Sequence, residues 1–190
     1  MTSTIVESPV RERILGAAMA LFYAEGIRAV SADRVLAAAG VSKVTFYRHF
    51  RTKDDLVVAY LERTSATERA QVAAARAEHG GDPATVLRWY AAGIGDVSCS
   101  PGFRGCAFIN AAAEYPDPSH PARQAVDTHR AWLIAQVTEL LDEMGVAEAA
   151  GRAEQLMMLR DGAMVAGALG GTPESVAASV LAAGRAILAP

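Results

Sequence analysis

The chain has 190 residues, which is enough for one or two domains with a sizeable core. Hydrophobic residues make up 52% of it and charged residues 21%, and the formal net charge is −3. The longest apolar run is too short to span a bilayer, and the first nine residues lack the apolar core of a signal peptide. The composition therefore argues against a membrane or secreted protein and predicts a cytoplasmic one.

The net charge conceals an uneven distribution along the chain. Residues 1–63 contain nine Lys or Arg and seven Asp or Glu, whereas residues 64–190 contain nine and fourteen. Between residues 28 and 53, six basic residues accompany Asp33 alone. Because salt confines the influence of each charge to roughly 10 Å, this local excess is what a phosphate backbone would meet. The overall acidity therefore does not exclude a nucleic-acid partner.

The first half of the chain predicts four helices. We interpret residues 1–9 as a disordered arm, followed by a helix over Val10–Ala24 that Gly26 terminates. Ser31 is a suitable cap for a short second helix, and Gly40 supplies the left-handed residue that ends it. Ser42 then caps a third helix that runs to Phe50, with Phe46 and Phe50 on its buried face. Two short helices joined by a tight turn are typical of a helix-turn-helix motif.

The remaining helices are predicted from caps, breaks and apolar periodicity. Thr52 caps a fourth helix that continues to about Ala77, roughly 35–40 Å at 1.5 Å per residue. Ser119 is expected to cap the seventh helix. The predicted ranges for the fifth to ninth helices are Pro83–Val97, Cys106–Glu114, Pro121–Met144, Glu148–Ala168 and Pro173–Leu188.

Residues 41–56, with the sequence Val-Ser-Lys-Val-Thr-Phe-Tyr-Arg-His-Phe-Arg-Thr-Lys-Asp-Asp-Leu, resemble the recognition-helix signature of TetR-family transcriptional regulators. Residues 14–22, 25–26 and 30–31 also resemble the first helix of that family and its exit. The resemblance is strong over residues 10–62 and holds only in outline beyond them. It implies an all-α fold of about nine helices. Residues 1–52 would form a helix-turn-helix DNA-binding domain, and residues 53–190 a helical ligand-binding and dimerisation domain.

A recognition helix needs side chains that hold phosphates and side chains that meet base edges. The N-terminal end of such a helix normally enters the major groove, so Lys43 can donate to guanine and Val44 can contact a thymine methyl. The resemblance implies that Thr45, Tyr47, His49 and Lys53 hold the DNA backbone. The alternative for Tyr47 and His49 is that they pack beneath the fourth helix. The predicted DNA-binding residues are Arg28, Ser31, Ser42, Lys43, Val44, Thr45, Tyr47, Arg48, His49 and Lys53.

A homodimer is expected because one such module makes few contacts and specific sites usually comprise two half-sites. The family resemblance implies a four-helix interface built from the last two helices. Their small residues are suited to close helix packing, although the two helices can equally pack inside one subunit. The predicted interface residues are Gly162, Ala163, Ala166, Gly167, Gly170, Ala178, Leu181, Ala182 and Arg185.

The helices between residues 53 and 168 contain aromatic residues and several polar residues within apolar runs. An apolar cavity with a few polar groups is what a small ligand requires, although most aromatic residues at helical spacing belong to an ordinary core. Residues 105–114 also resemble the ligand-domain segment of one TetR-family branch. The predicted ligand-binding residues are Trp89, Phe103, Asn110, Glu114, His129, Trp132, Met158 and Asp161.

These features together predict a sequence-specific repressor that binds a palindromic operator in double-stranded DNA and is released by a small-molecule effector. Two alternatives remain open within the same class of protein. Cys99 and Cys106, seven residues apart, can form a redox pair that controls DNA binding. A DNA-binding protein that responds to no ligand is the other alternative.

An enzyme is the alternative that the sequence disfavours. The chain has no Gly-x-Ser-x-Gly elbow, no Walker loop and no His-Glu-x-x-His motif, and Gly93-Ile94-Gly95 lacks both a third glycine and a preceding strand. The four histidines show no metal-ligand spacing. We therefore expect no metal, no cofactor and no catalytic residue.

Overall fold

The computed structural model describes residues 8–189, which form nine α-helices and no β-strand. The all-α fold is therefore confirmed. Residues 1–7 of the predicted disordered arm lie outside the described residues, and Pro9 is already the first residue of a helix. The helices are α1 (Pro9–Glu25), α2 (Ala32–Ala39), α3 (Lys43–His49), α4 (Lys53–Glu78), α5 (Pro83–Ser98), α6 (Ala107–Glu114), α7 (Pro121–Glu143), α8 (Ala149–Ala168) and α9 (Pro173–Leu188).

Local chemistry explains most of the helix boundaries. The predicted caps Ser31, Ser42 and Thr52 each accept a hydrogen bond from the backbone N–H three residues later. Gly40 ends α2 with φ of 62°, the left-handed conformation that the sequence predicted. Such caps typically stabilise a helix by about 1 kcal/mol each.

The prediction that Ser119 caps α7 is wrong. The backbone N–H and the hydroxyl of Ser119 both donate to Oδ1 of Asp117, at 2.9 and 2.8 Å. The cap is instead the next residue, where Nδ1 of His120 accepts from the backbone N–H of Ala122 at 3.2 Å, and α7 begins at Pro121 as predicted. The imidazole replaces the expected hydroxyl as the cap.

The N-terminal helices α1–α3 pack around a small apolar core. Ile14, Val35 and Phe46 are fully buried there, and Phe50 lies 6.1 Å from Phe46 between ring centroids. The prediction that the two phenylalanines anchor the third helix is confirmed. Their burial fixes which face of α3 points outward.

Helix α4 connects this core with the rest of the molecule. Its 26 residues extend about 39 Å at 1.5 Å per residue. Leu56, Val57 and Tyr60 belong to the N-terminal core, which continues into Phe108 of α6 and Val126 of α7. The residues predicted as two domains therefore share one continuous apolar cluster.

Helices α5, α8 and α9 approach one another closely at two glycines. A Cβ at Gly95 of α5 would lie 2.8 Å from the Ala177 side chain of α9, and a Cβ at Gly167 of α8 would overlap Ser98 of α5. Only glycine permits these separations. Across residues 8–189, no helix is both long enough and apolar enough to cross a membrane.

Candidate nucleic-acid interface and adjoining cavity

The outer face of α3 presents both polar and apolar side chains to solvent. Val44 is 81% exposed and Tyr47 is 42% exposed, while Lys43 and Arg48 are also exposed. The Tyr47 ring meets the buried Phe46 edge to face, with 5.2 Å between centroids. The phenol is therefore held at its base and free at its tip, as a side chain that reaches toward a partner should be.

Other predicted contacts flank this face. Thr45 and His49 are half-buried, and Nε2 of His49 has no hydrogen-bond partner among the described residues. The hydroxyls of Thr45 and Ser42 lie 2.9 Å apart. Ser31 is exposed at the start of α2. The structure thus brings most of the predicted set to one end of the molecule, around a helix that is anchored from below.

The cations around α3 differ in whether they have partners. Lys43, Arg48 and Arg51 are exposed, and none forms an ion pair with a carboxylate between residues 8 and 189. Arg34 is instead paired with Glu25, where its Nη2 donates to Oε1 at 2.8 Å. Three open cations beside a protruding helix give the electrostatic footprint expected of a phosphate-binding surface.

Lys53, predicted to hold the DNA backbone, lies at the connection between α1 and α2. Its Nζ donates to the carbonyl oxygen of Ile27 at 2.6 Å and lies 5.9 Å from the centre of the Phe22 ring. Burial lowers the pKa of the ammonium, against the opposing charges of Glu114 and Asp54. The structure therefore assigns Lys53 an internal contact that the sequence did not predict.

Glu114 was expected to bind a ligand, but both of its carboxylate oxygens hold the N-terminal region. Oε1 accepts from the backbone N–H of Ile27 at 2.9 Å and Oε2 from that of Arg28 at 2.6 Å. The Arg28 guanidinium lies 5.7 Å from the centre of the Tyr115 ring. Since Glu114 ends α6, this helix is tied directly to the connection between α1 and α2.

A cavity of about 450 Å³ lies between α1, α4, α5, α8 and the segment that leads into α6. This volume is within the usual range for small-molecule sites. The predicted ligand residues Trp89 and Phe103 are part of its wall. The other aromatic residues of the wall are Tyr23, Tyr90 and Phe108.

One end of the cavity contains a polar cluster that the sequence did not predict as a site. Tyr90 donates its hydroxyl proton to Oε1 of Glu68 at 2.6 Å, and Nε of Arg160 donates to the same phenol at 3.0 Å. Nη2 of Arg160 lies 3.7 Å from Oε1 of Glu68. Arg160 was noticeable only as a charge within an apolar run, and nothing in the sequence links it to Glu68 or Tyr90.

The cluster changes the proton affinity of its members. Burial alone would raise the pKa of Glu68, but contact with His129, the charge of Arg160 and the Tyr90 hydrogen bond together hold it below its usual value. Burial also raises the pKa of Tyr90. Glu68 is therefore ionised and Tyr90 neutral at neutral pH.

His129 lies behind the cavity wall. Its ring stacks on Phe108 at 3.6 Å between centroids, and its Nδ1 lies 3.0 Å from Oγ of Ser65. Its Nε2 is 3.2 Å from Oε2 of Glu68, but off the line of a good hydrogen bond. The histidine supports Glu68 and Phe108 and is not part of the lining.

The other predicted ligand residues lie away from the cavity lining. Nδ2 of Asn110 donates to the carbonyl oxygen of Arg104, and Trp132 packs beneath the Arg69 guanidinium. Asp161 is paired with Arg130 and Arg160. Met158 is 66% exposed on the outer side of α8. The residue types that suggested these four positions could not show which side of each helix faces the cavity.

The predicted interface residues fall into two groups. Ala163 is buried, and Gly167 contacts Ser98 within the subunit, so both serve the internal packing of α8. Leu181 is half-buried. The remaining predicted residues are exposed: Gly162, Ala166, Gly170, Ala178, Ala182 and Arg185.

Cys99 and Cys106 are free thiols that pack against the same apolar cluster. Sγ of Cys106 lies 3.8 and 4.0 Å from the two terminal nitrogens of Arg160, and Cys106 lines the cavity. Within residues 8–189, no three His, Cys, Asp or Glu side chains are grouped as metal ligands.

Comparisons with known proteins match this architecture. Residues 14–60 match the sequence model of bacterial regulatory proteins of the tetR family. The HTH-type transcriptional repressor NemR of Escherichia coli (strain K12) is 26% identical over 137 residues, which cover 72% of this chain and 69% of NemR. The reduced form of E. coli NemR shares the fold, with a TM-score of 0.82 at 23% identity over 96% of this chain and 99% of that one.

A crystal structure of higher sequence identity decides the family. SCO4454, a TetR-family transcriptional regulator from Streptomyces coelicolor, is 48% identical to this chain and superposes with a TM-score of 0.87. The alignment covers 94% of each chain, so it includes both the α3 surface and the cavity helices. The chain therefore belongs to the TetR family of transcriptional regulators.

Proposed function

We propose that this regulator is a repressor that binds a palindromic operator as a homodimer and leaves it when a small molecule enters the cavity. The observation that carries the proposal is the exposed face of α3, where Lys43, Val44, Tyr47 and Arg48 protrude above the buried Phe46. This face combines open positive charge with side chains of the length and chemistry that base edges require.

In this proposal some residues of α3 contact base edges and others contact phosphates. Lys43 and Val44 meet base edges in the major groove, because they lie in the first turn of the helix. Thr45, Tyr47 and His49 hold phosphates on either side, and Arg48 adds charge at the other end. Arg28, Ser31 and Ser42 complete the predicted backbone contacts, and Lys53, whose Nζ donates to Ile27, contributes less than they do.

The outer face of α8 and α9 supports the homodimer. Met158 and Val165 of α8 are 66% and 50% exposed, and Leu169, immediately after α8, is 82% exposed. The exposed residues of α9 are mostly small. Large apolar side chains in a row favour a covering partner. A second copy of the chain also provides the second half-site contact, about 34–36 Å from the first.

The two-part division at residue 52 suits this mechanism. Residues 1–52 would read DNA, and residues 53–190 would bind the effector and the second subunit, within the cytoplasm. Helix α4 belongs to both tasks, since Thr64, Glu68 and Gln71 line the cavity and Lys53 contacts Ile27.

Release requires that the effector bind one conformation better than the other. Two helices lead from the cavity to the connection between α1 and α2. Helix α4 begins there at Lys53 and reaches the cavity at Thr64, whereas α6 begins at the cavity wall with Ala107 and Phe108 and ends at this connection with Glu114. A displacement of either helix by the effector changes the position of α2 and α3.

The proposal is tested by selecting bound duplexes from a random DNA pool and measuring the mass of the complex in solution. We expect a palindromic consensus and two protein chains on each duplex. Val165→Asp on the outer face of α8 should abolish both dimer and operator binding, while Ala73→Asp on an exposed face of α4 should not. Failure to retain any duplex at low salt would refute the proposal.

Redox control through Cys99 and Cys106 remains the second candidate. The position of Cys106 favours it, because this residue lines the cavity and its Sγ lies 3.8 Å from Nη1 of Arg160. A hydroperoxide would oxidise Cys106 to a sulfenic acid and be reduced to an alcohol or water, and the Cys99 thiol would then displace water to form the disulfide. Mass spectrometry after peroxide treatment, with DNA binding by wild type and Cys106→Ser in parallel, separates this candidate from effector release.

A further inference from the structure

We propose that the effector is an electrically neutral, largely apolar molecule with at least one aromatic ring. The inference rests on the proposed function, since it names the ligand class of the same cavity. It follows from how the charges and aromatic side chains of the cavity are arranged.

The charges in the cavity wall compensate one another. Among the described residues that line the cavity, Glu68 and Arg160 alone are Asp, Glu, Lys or Arg. They face each other at 3.7 Å, and Arg160 also lies 3.2 Å from Asp161, whose second oxygen is 2.8 Å from Arg130. Two carboxylates and two guanidinium groups therefore cancel, and the cluster presents no net charge to a ligand.

These two residues already face partners inside the protein. Nε of Arg160 donates to Tyr90 and Nη1 to Asp161, while Nη2 lies 3.7 Å from Oε1 of Glu68 and 4.0 Å from Sγ of Cys106, so the guanidinium has little to offer an anionic ligand. Oε1 of Glu68 accepts from Tyr90, and Oε2 faces His129. An anion or a cation in this cavity would give up its hydration without gaining a free counter-charge, which is costly.

The rest of the wall contains four aromatic side chains. Tyr23, Trp89, Phe103 and Phe108 present aromatic surface that a planar apolar molecule can cover. Trp89 is 39% exposed, so a ligand that covers its ring would gain binding free energy from the apolar surface that it buries. The exposed residues Thr67 and Gln71 of α4 provide polar groups where the cavity opens to solvent. A neutral hydroxyl or carbonyl group on the ligand is compatible with this edge.

The test uses three molecules of nearly equal shape: 2-naphthalenemethanol, 2-naphthoate and 2-naphthylmethylammonium. They are neutral, anionic and cationic at pH 7. We expect isothermal titration calorimetry on the full chain to show the alcohol binding at least about tenfold more tightly than either ion. Equal or tighter binding of an ion, or no binding of the alcohol, would overturn the inference.

The site of binding is checked with glycines that accept a side chain without a clash. Gly93 lines the cavity, and a Cβ there would meet no atom within 4 Å. Gly93→Leu should fill part of the cavity and weaken the alcohol at least about tenfold. Gly151→Leu, on an exposed position of α8 that is equally free of neighbours, should leave its affinity unchanged. Unchanged binding by Gly93→Leu would show that the alcohol binds elsewhere and would refute the assignment.

A charge variant tests the cause directly. Glu68→Gln leaves Arg160 without its neutralising partner, so the naphthoate should gain at least about tenfold in affinity while the ammonium compound should not. Glu62→Gln, on an exposed face of the same helix, is the matched control. If Glu68→Gln binds the naphthoate no more tightly than wild type does, the neutralisation of Arg160 by Glu68 is not the reason that the cavity prefers a neutral ligand.

The inference and the proposed function fail in different ways. If an ion is the tighter ligand and also releases DNA, the ligand class is wrong but effector-controlled repression stands. If the alcohol binds in the cavity and leaves DNA affinity unchanged, the ligand class stands and effector release is refuted.

Discussion

The charged side chains on the surface of α3 lack carboxylate partners among residues 8–189, whereas those in the cavity beside α4 are paired. On α3, Lys43 and Arg48 point into solvent without a carboxylate partner among residues 8–189. In the cavity, Glu68 and Arg160 are paired with each other and with their neighbours. An open cation keeps its hydration until a phosphate replaces it, whereas a buried charge must be compensated within the protein.

This difference explains why a chain with a net charge of −3 can bind DNA. Exposed and unpaired cations are available to bind phosphate, whereas the basic residues after residue 63 are largely paired with other groups of the protein. Arg76, for example, contacts Glu143 at 3.1 Å, and Arg130 contacts Asp161 at 2.8 Å. Mutations can therefore alter the two regions separately.

The largest effect is expected when the open charges of α3 are removed. The double variant Lys43→Ala, Arg48→Ala should weaken binding to the selected operator about 100-fold, since each contact to a base or phosphate contributes about 1–3 kcal/mol. The dependence of affinity on salt should also fall, by a slope of roughly 0.9 for each lost phosphate contact. Fluorescence anisotropy at several salt concentrations measures both.

Arg88→Ala on α5 removes an exposed charge far from α3 and is the control. Its affinity should equal that of the wild type. A double variant that kept full affinity would show that α3 does not face the DNA.

Glu114 joins the two regions, so its loss should have the next largest effect. Glu114→Ala leaves the N–H of the buried Ile27 without an acceptor, which should lower the free energy of unfolding by about 1–3 kcal/mol. It should also reduce the response of DNA binding to a ligand in the cavity. Thermal denaturation and anisotropy with the naphthalene alcohol measure these two effects.

Glu114→Gln is the graded control, because it retains one carbonyl oxygen for the two backbone donors. Its stability should lie between those of wild type and Glu114→Ala. If Glu114→Ala is as stable as wild type and responds normally to the ligand, α6 does not transmit the signal through this contact.

The Glu68 cluster predicts a pH dependence of stability. Because the pKa of Glu68 is held below its usual value, its contribution is complete near neutral pH and is lost as the pH falls from about 4.5 through the lowered value. The free energy of unfolding of wild type should therefore exceed that of Glu68→Gln by about 1 kcal/mol at pH 7, and this advantage should be lost as the pH falls through the lowered pKa of Glu68. Unfolding in urea from pH 7 to 3 measures the difference, with Glu62→Gln as control. A difference that grows on acidification would contradict the assignment.

Helices α2 and α3 could be predicted from the sequence because the signals that define them are local. Ser31, Gly40 and Ser42 fix two helices through contacts that span only a few residues. Phe46 and Phe50 lie four residues apart, so their shared face follows from helical geometry alone. Once that face is buried, the outward direction of Lys43, Val44 and Tyr47 is determined.

The cavity could not be predicted in the same way because its contacts are distant in sequence. Tyr90 and Arg160 lie 70 residues apart, and Glu114 lies 87 residues from Ile27. The sequence placed Met158 on a helix but did not show that its side chain lies on the outer side of α8, where it is 66% exposed. Pairings across the interior depend on how the helices cross, and a single sequence carries no direct signal for that.

The smallest effect is expected at Lys53. This residue tests the contrast most sharply, because it was predicted to hold the DNA backbone and yet has a hydrogen-bond partner inside the protein. Its Nζ donates to Ile27 and is partly desolvated, so it has less to offer a phosphate than Lys43. Lys53→Met should destabilise the protein by about 1 kcal/mol or less and change the salt slope by less than Lys43→Ala alone. The same anisotropy series measures the slope, and Lys43→Ala is its matched control. A loss of a full phosphate contact at Lys53 would place this lysine with the open charges of α3, as its position in the sequence first suggested.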